Sequence, residues 1–109
     1  MCGILALIYP NGGSPSSEQM MHMVNRMKHR GPDGSGVDIS GEIGFAHRRL
    51  SVIDIEGATQ PMILSSGIKI IFNGEIYNFR ELRNTLIEHG HIFKHDSDTE
   101  VLILAAEQW

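Results

Sequence analysis

Cysteine is almost absent from this sequence, whose 109 residues include a single one, Cys2. One cysteine permits no internal disulfide, which suits a reducing compartment. Long hydrophobic runs are also missing, because the apolar stretch from Ile4 to Ile8 lacks a basic leader and is followed at Pro10 by a turn-forming cluster. Such a stretch is too short for a membrane span and does not have the form of a signal peptide. We therefore expect a cytoplasmic protein without a membrane partner.

Positive charge is scarce as well. The sequence has 9 Lys and Arg residues against 13 Asp and Glu residues, which gives a net charge of −4 at pH 7. This balance argues against a nucleic-acid partner. At 109 residues the chain is at most one small domain, short for a core that also encloses a substrate pocket, so part of a longer protein is a reasonable expectation. The composition leaves an oligomer open.

Three stretches of the sequence predict helices, each begun by a capping pair. The first helix carries an apolar face of Met20, Met23, Val24 and Met27, which we assign to core packing. The second is expected to end at Gly90. The third is still running at the last residue, which predicts that the chain continues. The capping pairs are Ser16 with Gln19, Asn78 with Glu81, and Ser97 with Glu100.

Apolar patterns predict strands over residues 3–9, 68–72 and 91–95, and over 42–53 with an interruption near the adjacent Arg48 and Arg49. Between the first helix and this last region, residues 29–36 contain three glycines and a proline. We predict a loop there with positive φ angles. Arg83, on the polar side of the second helix, is expected to face solvent.

Asn73 and Gly74 admit two interpretations, which are compatible with each other. An Asn-Gly pair between apolar runs favours a hairpin with a type I′ turn, which needs positive φ at both positions. Alternatively, an Asn amide followed by an exposed glycine N–H is the donor pair expected of an oxyanion hole.

Other residues carry candidate chemistry, each with a plainer alternative. If Met1 were removed, Cys2 would supply a thiol nucleophile and an α-amine base on one residue, although a cysteine at this position can also be accidental. Of Arg48 and Arg49, at least one should have an anionic partner, and a guanidinium fork suits a carboxylate. The alternative for either is an outward-facing strand residue. Asp98 lies where a helix dipole favours an acid in any case.

Weaker candidates complete this set. Arg30, at the entrance of the glycine-rich loop, could hold an anion. A metal site at His89, His91 and His95 is disfavoured, because no cysteine or spaced carboxylate pair completes it.

Five motifs in order give the sequence a family resemblance. They are residues 1–4 (MCGI), 29–34 (HRGPDG), 46–51 (AHRRLS), 73–78 (NGEIYN) and 97–100 (SDTE). Together they closely resemble the glutaminase domain of class II glutamine amidotransferases, in the asparagine synthetase (glutamine-hydrolysing) branch, over residues 1–109. The resemblance implies an α+β fold, the N-terminal nucleophile hydrolase α-β-β-α sandwich of two antiparallel sheets, with its C-terminal part truncated here.

The resemblance also implies roles for individual residues. Cys2 would be the nucleophile, with the Asn73 side chain and the Gly74 N–H around the oxyanion. Arg49 would grip the α-carboxylate of glutamine, and Asp98 and Glu75 would face its α-ammonium group. The implied substrate-binding residues are Arg49, Leu50, Ser51, Val52, Ile53, Asn73, Gly74, Glu75 and Asp98.

The activity implied is hydrolysis of the glutamine side-chain amide through a cysteine thioester, with ammonia passed to an ATP-dependent amidation, most simply asparagine synthesis from aspartate. The synthetase domain that this needs, with its ATP and magnesium, is absent from the 109 residues, and no cofactor is expected in this segment. Two alternatives remain: a non-catalytic fragment that serves as a binding module, and an amidotransferase with another acceptor, such as a polysaccharide precursor.

Overall fold

A computed structural model of the chain describes residues 1–50 and 59–109. In these residues three helices and five strands follow one another along the chain. In order they are β1 (Gly3–Ile8), α1 (Ser17–Arg26), β2 (Gly34–Ser40), β3 (Ile43–Arg49), β4 (Met62–Ile63), β5 (Lys69–Ile70), α2 (Phe79–Glu88) and α3 (Asp98–Gln108). Within the described ranges no helix is long and apolar enough to cross a membrane.

The first sheet is antiparallel with the order β1-β3-β2, so β3 is its central strand. Its side chains alternate between two faces. One face packs against α1, where Met20, Val24 and Ala46 form a buried cluster. Gly44 permits this contact, because a Cβ at that position would stand 2.9 Å from the Met20 sulfur.

The opposite face of the first sheet meets the segment that contains β4 and β5. Lys69 of β5 donates hydrogen bonds to Asp38 at 2.5 Å and to Ser40, both on β2. The contact does not cover the whole face, since Ile4, Ile8 and Ile43 stay largely exposed. The second sheet therefore covers the first sheet near β2, whereas the same face of the first sheet is exposed along β1.

The second sheet pairs β4 with β5, also antiparallel. Helices α2 and α3 pack on it around Leu86, Val101, Ile103 and Leu104, which are all buried. The succession of layers is α1, first sheet, second sheet, then α2 with α3. This is the α-β-β-α arrangement expected of an N-terminal nucleophile hydrolase sandwich.

Helix capping matches the sequence at two of three sites. The side chains of Ser16 and Ser97 accept hydrogen bonds from the third residue beyond, at 3.1 and 3.2 Å. Gly90 closes α2 with φ of 95°, as a helix C-terminus favours. Asn78 begins α2, but its side chain makes no capping hydrogen bond, so that part of the prediction is wrong.

The predicted loop at residues 29–36 is too long. Strand β2 already begins at Gly34, and Gly31, Gly34 and Gly36 all lack the positive φ that we expected. Close approach is the reason that Gly31 and Gly36 are small: a Cβ would lie 2.4 Å from the Arg48 carbonyl carbon and 2.0 Å from the Gln60 oxygen, respectively. Strand β3 runs through Arg48 and Arg49 without the predicted interruption, because both neighbouring strands pair with it there.

The strand predicted over residues 68–72 is shorter than expected, and the Asn-Gly hairpin is wrong. The ladder of β5 ends at Ile70, and neither Asn73 nor Gly74 has a positive φ. The chain then passes into α2. Eight residues, 71–78, lie between these elements, and within them residues 72–76 form an irregular segment.

Residues 91–95 do not form the predicted strand. The buried Glu100 carboxylate accepts hydrogen bonds from Lys94 N–H at 2.8 Å and His95 N–H at 2.7 Å, which satisfies this backbone without a strand partner. Arg83 is also not simply solvated. Its guanidinium donates to the His95 carbonyl at 2.8 Å and lies 4.4 Å from the centre of the Phe93 ring.

Candidate active site

Cys2 lies immediately before β1, where the strand ladder sets its position. The pairing of Gly3 with Arg48 brings it to the end of β3. The Leu50 N–H donates to the Cys2 sulfur at 3.4 Å, and the sulfur lies 3.9 Å from the Leu50 carbonyl oxygen. Cys2 is half-buried, whereas Met1 is 76% exposed. The thiol is therefore held next to Leu50, a predicted substrate-binding residue that follows Arg49 in the chain.

The loop of residues 29–34 is anchored on this end of the sheet. The Arg30 side chain donates to the Cys2 carbonyl at 3.2 Å, and Asp33 N–H donates to the Arg49 carbonyl at 3.0 Å. Gly31 packs directly on the peptide between Arg48 and Arg49. The glycines of this loop thus allow the chain to approach its own backbone beside the thiol. That Arg30 holds an anion stays a prediction.

The two adjacent arginines point to different faces of β3. Arg48 is 6% exposed, and its Nε donates to the Gly31 carbonyl at 2.8 Å. Arg49 alternates to the face that carries His47, and its charge acts on the His47 imidazole. Arg48 therefore contacts the anchoring loop, while Arg49 lies on the face between the sheets.

A second group of predicted residues lies between β5 and α3. Asn73 is half-buried, and Gly74 and Glu75 are exposed. A Cβ at position 74 would stand 2.8 Å from the Phe72 ring, so a larger residue here would require this ring to shift. Asp98, in the first turn of α3, accepts a hydrogen bond from Ile76 N–H at 3.1 Å. Asp98 and the segment 73–76 are thereby brought together.

His47 joins the two groups through β3. Its side chain is 3% exposed and lies near enough to the Phe72 backbone, one residue before Asn73, for that backbone to act on the imidazole. Burial lowers the pKa of His47 from its usual value near 6.5, the Phe72 backbone opposes that shift, and the Arg49 charge adds to it. The imidazole is consequently neutral at pH 7. Among the described residues its Nε2 is a buried polar atom without a hydrogen-bond partner.

Three of the predicted substrate-binding residues, Ser51, Val52 and Ile53, lie outside the described residues. Two contributors were missed by the sequence prediction. Neither His47 nor Gln60 is among the site residues that the sequence predicts. Gln60 accepts from Phe72 N–H at 2.6 Å and donates to Thr99 Oγ1 at 3.3 Å. No periodicity or motif of its own identified either contact.

Metal ligation finds no support in residues 1–50 and 59–109, where no three His, Cys, Asp or Glu side chains cluster. The C-terminal histidines contact helices. His89 Nδ1 lies 2.8 Å from the Thr85 carbonyl oxygen, and His91 Nε2 lies 2.9 Å from Gln108 Oε1.

Comparison with known families gives this site a context. A family model described as a glutamine amidotransferase domain matches residues 1–109. The chain therefore belongs to the glutamine amidotransferase family, in agreement with the resemblance carried by its five motifs.

Within this family, the chain is similar to several asparagine synthetases. The chain is 43% identical over 107 residues to a glutamine-hydrolysing asparagine synthetase of Bacillus subtilis, with 94% of this chain and 17% of the relative covered. It is 42% identical over 104 residues to an asparagine synthetase of Sandersonia aurantiaca, covering 94% and 19%. For one of Arabidopsis thaliana the identity is 39% over 111 residues, covering 100% and 19%. The chain thus spans less than a fifth of the length of these relatives.

Proposed function

We propose that this chain is the glutamine-hydrolysing part of an amidotransferase, with Cys2 as its nucleophile. The observation that carries the proposal is the position of the Cys2 sulfur, 3.4 Å from the nitrogen of Leu50, the residue that follows Arg49 at the end of β3. Because Cys2 directly precedes the paired strand β1, its position is fixed by the main-chain pairing of that strand. Family membership supports the same assignment.

The proposed reaction begins after Met1 is removed, for which its exposure is favourable. The thiol of Cys2 attacks the side-chain carbonyl carbon of glutamine, and its proton passes by way of the new α-amine to the departing nitrogen. The carbonyl oxygen becomes an oxyanion, which the Asn73 amide and the Gly74 N–H receive. Collapse expels ammonia and leaves a glutamyl thioester. Water then cleaves the carbon–sulfur bond, which releases glutamate and restores the thiol.

Recognition of the substrate is assigned to charges of opposite sign. The planar guanidinium of Arg49 suits the α-carboxylate of glutamine. Asp98 uses Oδ2 to accept from Ile76 N–H, and its second oxygen is assigned to the α-ammonium group with Glu75. Leu50, Ser51, Val52 and Ile53 are assigned to the pocket wall.

The names of the relatives support asparagine synthesis as the use of the ammonia. We assign activation of the aspartate side chain to an ATP- and magnesium-dependent synthetase domain of a longer natural protein. The glutaminase step as written needs no cofactor. Another acceptor carboxylate would leave the chemistry of Cys2 unchanged, so assays of glutamate release test the present site independently of the acceptor.

The test uses the natural protein that carries this segment. We expect Cys2→Ala to reduce glutamate release to background while the circular dichroism spectrum stays unchanged. A matched pair sharpens the result: a short N-terminal extension before Cys2 should abolish activity, and its removal by a protease that leaves Cys2 first should restore it. Persistent glutaminase activity in the alanine variant or in the uncut extension would disprove the assignment, and a wild-type protein that folds but releases no glutamate would favour a binding module.

A further inference from the structure

The irregular segment 72–76 has little backbone support for a segment with a proposed catalytic role. In the described part of the chain, none of the backbone–backbone hydrogen bonds outside helices and strands involves residues 72–75. Yet Asn73 and Gly74 must present two donors at a fixed place. Their position therefore depends on side chains that bind this backbone.

Gln60 is the side chain that binds the start of the segment. Its Oε1 accepts from Phe72 N–H at 2.6 Å, and its Nε2 donates to the Thr99 hydroxyl at 3.3 Å. Thr99 is 5% exposed and is fixed in the first turn of α3. Both ends of the Gln60 amide are in use, so its orientation is determined.

The backbone of Gln60 is itself held against the first sheet. A Cβ at Gly36 would lie 2.0 Å from the Gln60 carbonyl oxygen, which means that residue 60 rests on β2. From β3, the His47 side chain also lies near the Phe72 backbone. Gln60 thus connects the first sheet, the segment before Asn73 and the start of the helix that carries Asp98.

We propose that Gln60 is a positioning residue of the glutaminase site, which fixes the Phe72 backbone so that Asn73 and Gly74 face the oxyanion. This inference rests on the proposed function. Oxyanion donors are effective when they lie about 2.7 to 3.1 Å from the oxygen that develops charge. A small displacement of the donors therefore reduces transition-state stabilisation more than it reduces the affinity for the substrate. Loss of Gln60 should consequently lower kcat and leave KM nearly unchanged.

The experiment measures glutamine hydrolysis by variants of the natural protein. Methionine has a similar length to glutamine but makes neither hydrogen bond. For Gln60→Met we expect kcat to fall about 10- to 100-fold. This loss is no larger than the roughly 100- to 1000-fold loss on removing an oxyanion donor itself. KM should change less than about 3-fold. Gln60→Glu keeps an acceptor for Phe72 N–H and should recover most of kcat. Thr99→Val leaves the Phe72 contact and should lower kcat about 3-fold.

A second measurement separates positioning from general damage. The γ-aldehyde of glutamate accepts the Cys2 sulfur at its carbonyl carbon, the carbon–oxygen double bond opens, and the thiol proton completes a tetrahedral hemithioacetal whose oxygen occupies the oxyanion position. Gln60→Met should weaken inhibition by this aldehyde by the same factor as kcat, whereas competitive inhibition by glutamate should change little.

The outcomes distinguish the two proposals. If the wild-type protein releases no glutamate, the proposed function fails. If it does and Gln60→Met has wild-type kcat, or loses aldehyde and glutamate binding equally, only the role of Gln60 is overturned. Should Gln60→Met not fold, Thr99→Val decides: a lower kcat at constant KM supports the inference, and an unchanged kcat refutes it.

Discussion

The two parts of the proposed site are held in different ways. The position of Cys2 is determined by a strand ladder. Strand β1 pairs with β3 over six residues, and the loop at Gly31 packs against the end of that pair. The segment with Asn73 and Gly74 has no ladder and depends on contacts from Gln60 and Asp98. The nucleophile is therefore set by main-chain hydrogen bonds, which most substitutions leave intact. The oxyanion donors are set by single side chains, each of which one mutation removes.

Gly31→Ala should disturb the main-chain packing that positions Cys2, and we expect it to have the largest effect. The new Cβ would stand 2.4 Å from the Arg48 carbonyl carbon, so the end of β3 must shift beside Cys2. We expect a loss of stability on the order of 1 to 3 kcal/mol or more, with reduced glutaminase activity. The free energy of unfolding in urea measures it.

Gly34→Ala is the matched control, because its nearest neighbour atom would be Arg49 Cβ at 3.9 Å. It should change stability by less than about 1 kcal/mol. Equal losses for both glycines would show that flexibility, and not close approach, explains them.

Asp98 tests the side-chain half, because one carboxylate is assigned both a backbone contact and a substrate contact. Asp98→Asn keeps an oxygen for Ile76 N–H but loses the charge, and we expect the KM for glutamine to rise about 10- to 100-fold, from a lost charge-assisted hydrogen bond of about 1.5 to 3 kcal/mol. Asp98→Ala also releases Ile76 and should lower kcat in addition. Identical kinetics for the two variants would contradict the double role.

Lys69→Met concerns the contact between the two sheets. It removes hydrogen bonds to Asp38 and Ser40 at a partly exposed position, where a pair is worth up to about 1 kcal/mol. A small fall in the melting temperature with unchanged kcat is expected. Lys28→Met, at an exposed position, serves as the control. A large loss of kcat on removing Lys69 would mean that the site depends on how the sheets are stacked.

The pH dependence of stability through His47 should be the smallest effect. Its pKa in the folded protein lies below the usual 6.5, so the unfolded chain binds more protons between these two values. The contribution of neutral His47 is therefore complete above about pH 6.5 and is lost as the pH falls through the folded pKa. Urea unfolding at several pH values should show a shallower decline below pH 6.5 for His47→Gln than for the wild type. The exposed His22→Gln serves as the matched surface substitution.

Local signals in the sequence predicted the elements that local chemistry controls. The hydroxyls of Ser16 and Ser97 cap their helices as expected, and Gly90 ends α2. The same reasoning was wrong where a residue outside the predicted segment supplied the partner. Glu100 satisfied the backbone that a strand would have paired, and the approach of Gln60 to Gly36 explained a glycine that we had assigned to a turn.

For the site, the ordered motifs identify candidate residues by their chemical type, but they carry no information about which residues contact each other. They predict Cys2, Arg49 and Leu50 as members of one site. In the structure Leu50 N–H donates to the Cys2 sulfur at 3.4 Å, and the site roles of these residues stay predictions. They did not reveal that Gln60 binds the Phe72 backbone or that His47 lies near it, since these contacts depend on how two sheets stack. Roles in catalysis stay predictions until the variants are measured.

The outer position of β1 has a practical consequence for the isolated 109 residues. In the described structure β1 pairs on one side only, with β3, and its Ile4 and Ile8 are 47% and 64% exposed. An unpaired strand edge next to bare apolar side chains is a template for pairing with another chain. We expect this segment produced alone to enter inclusion bodies and to need a lysine at Ile4 or Ile8 for solubility. Light scattering of Ile8→Lys against the parent chain tests this expectation, and equal scattering by the two would contradict it.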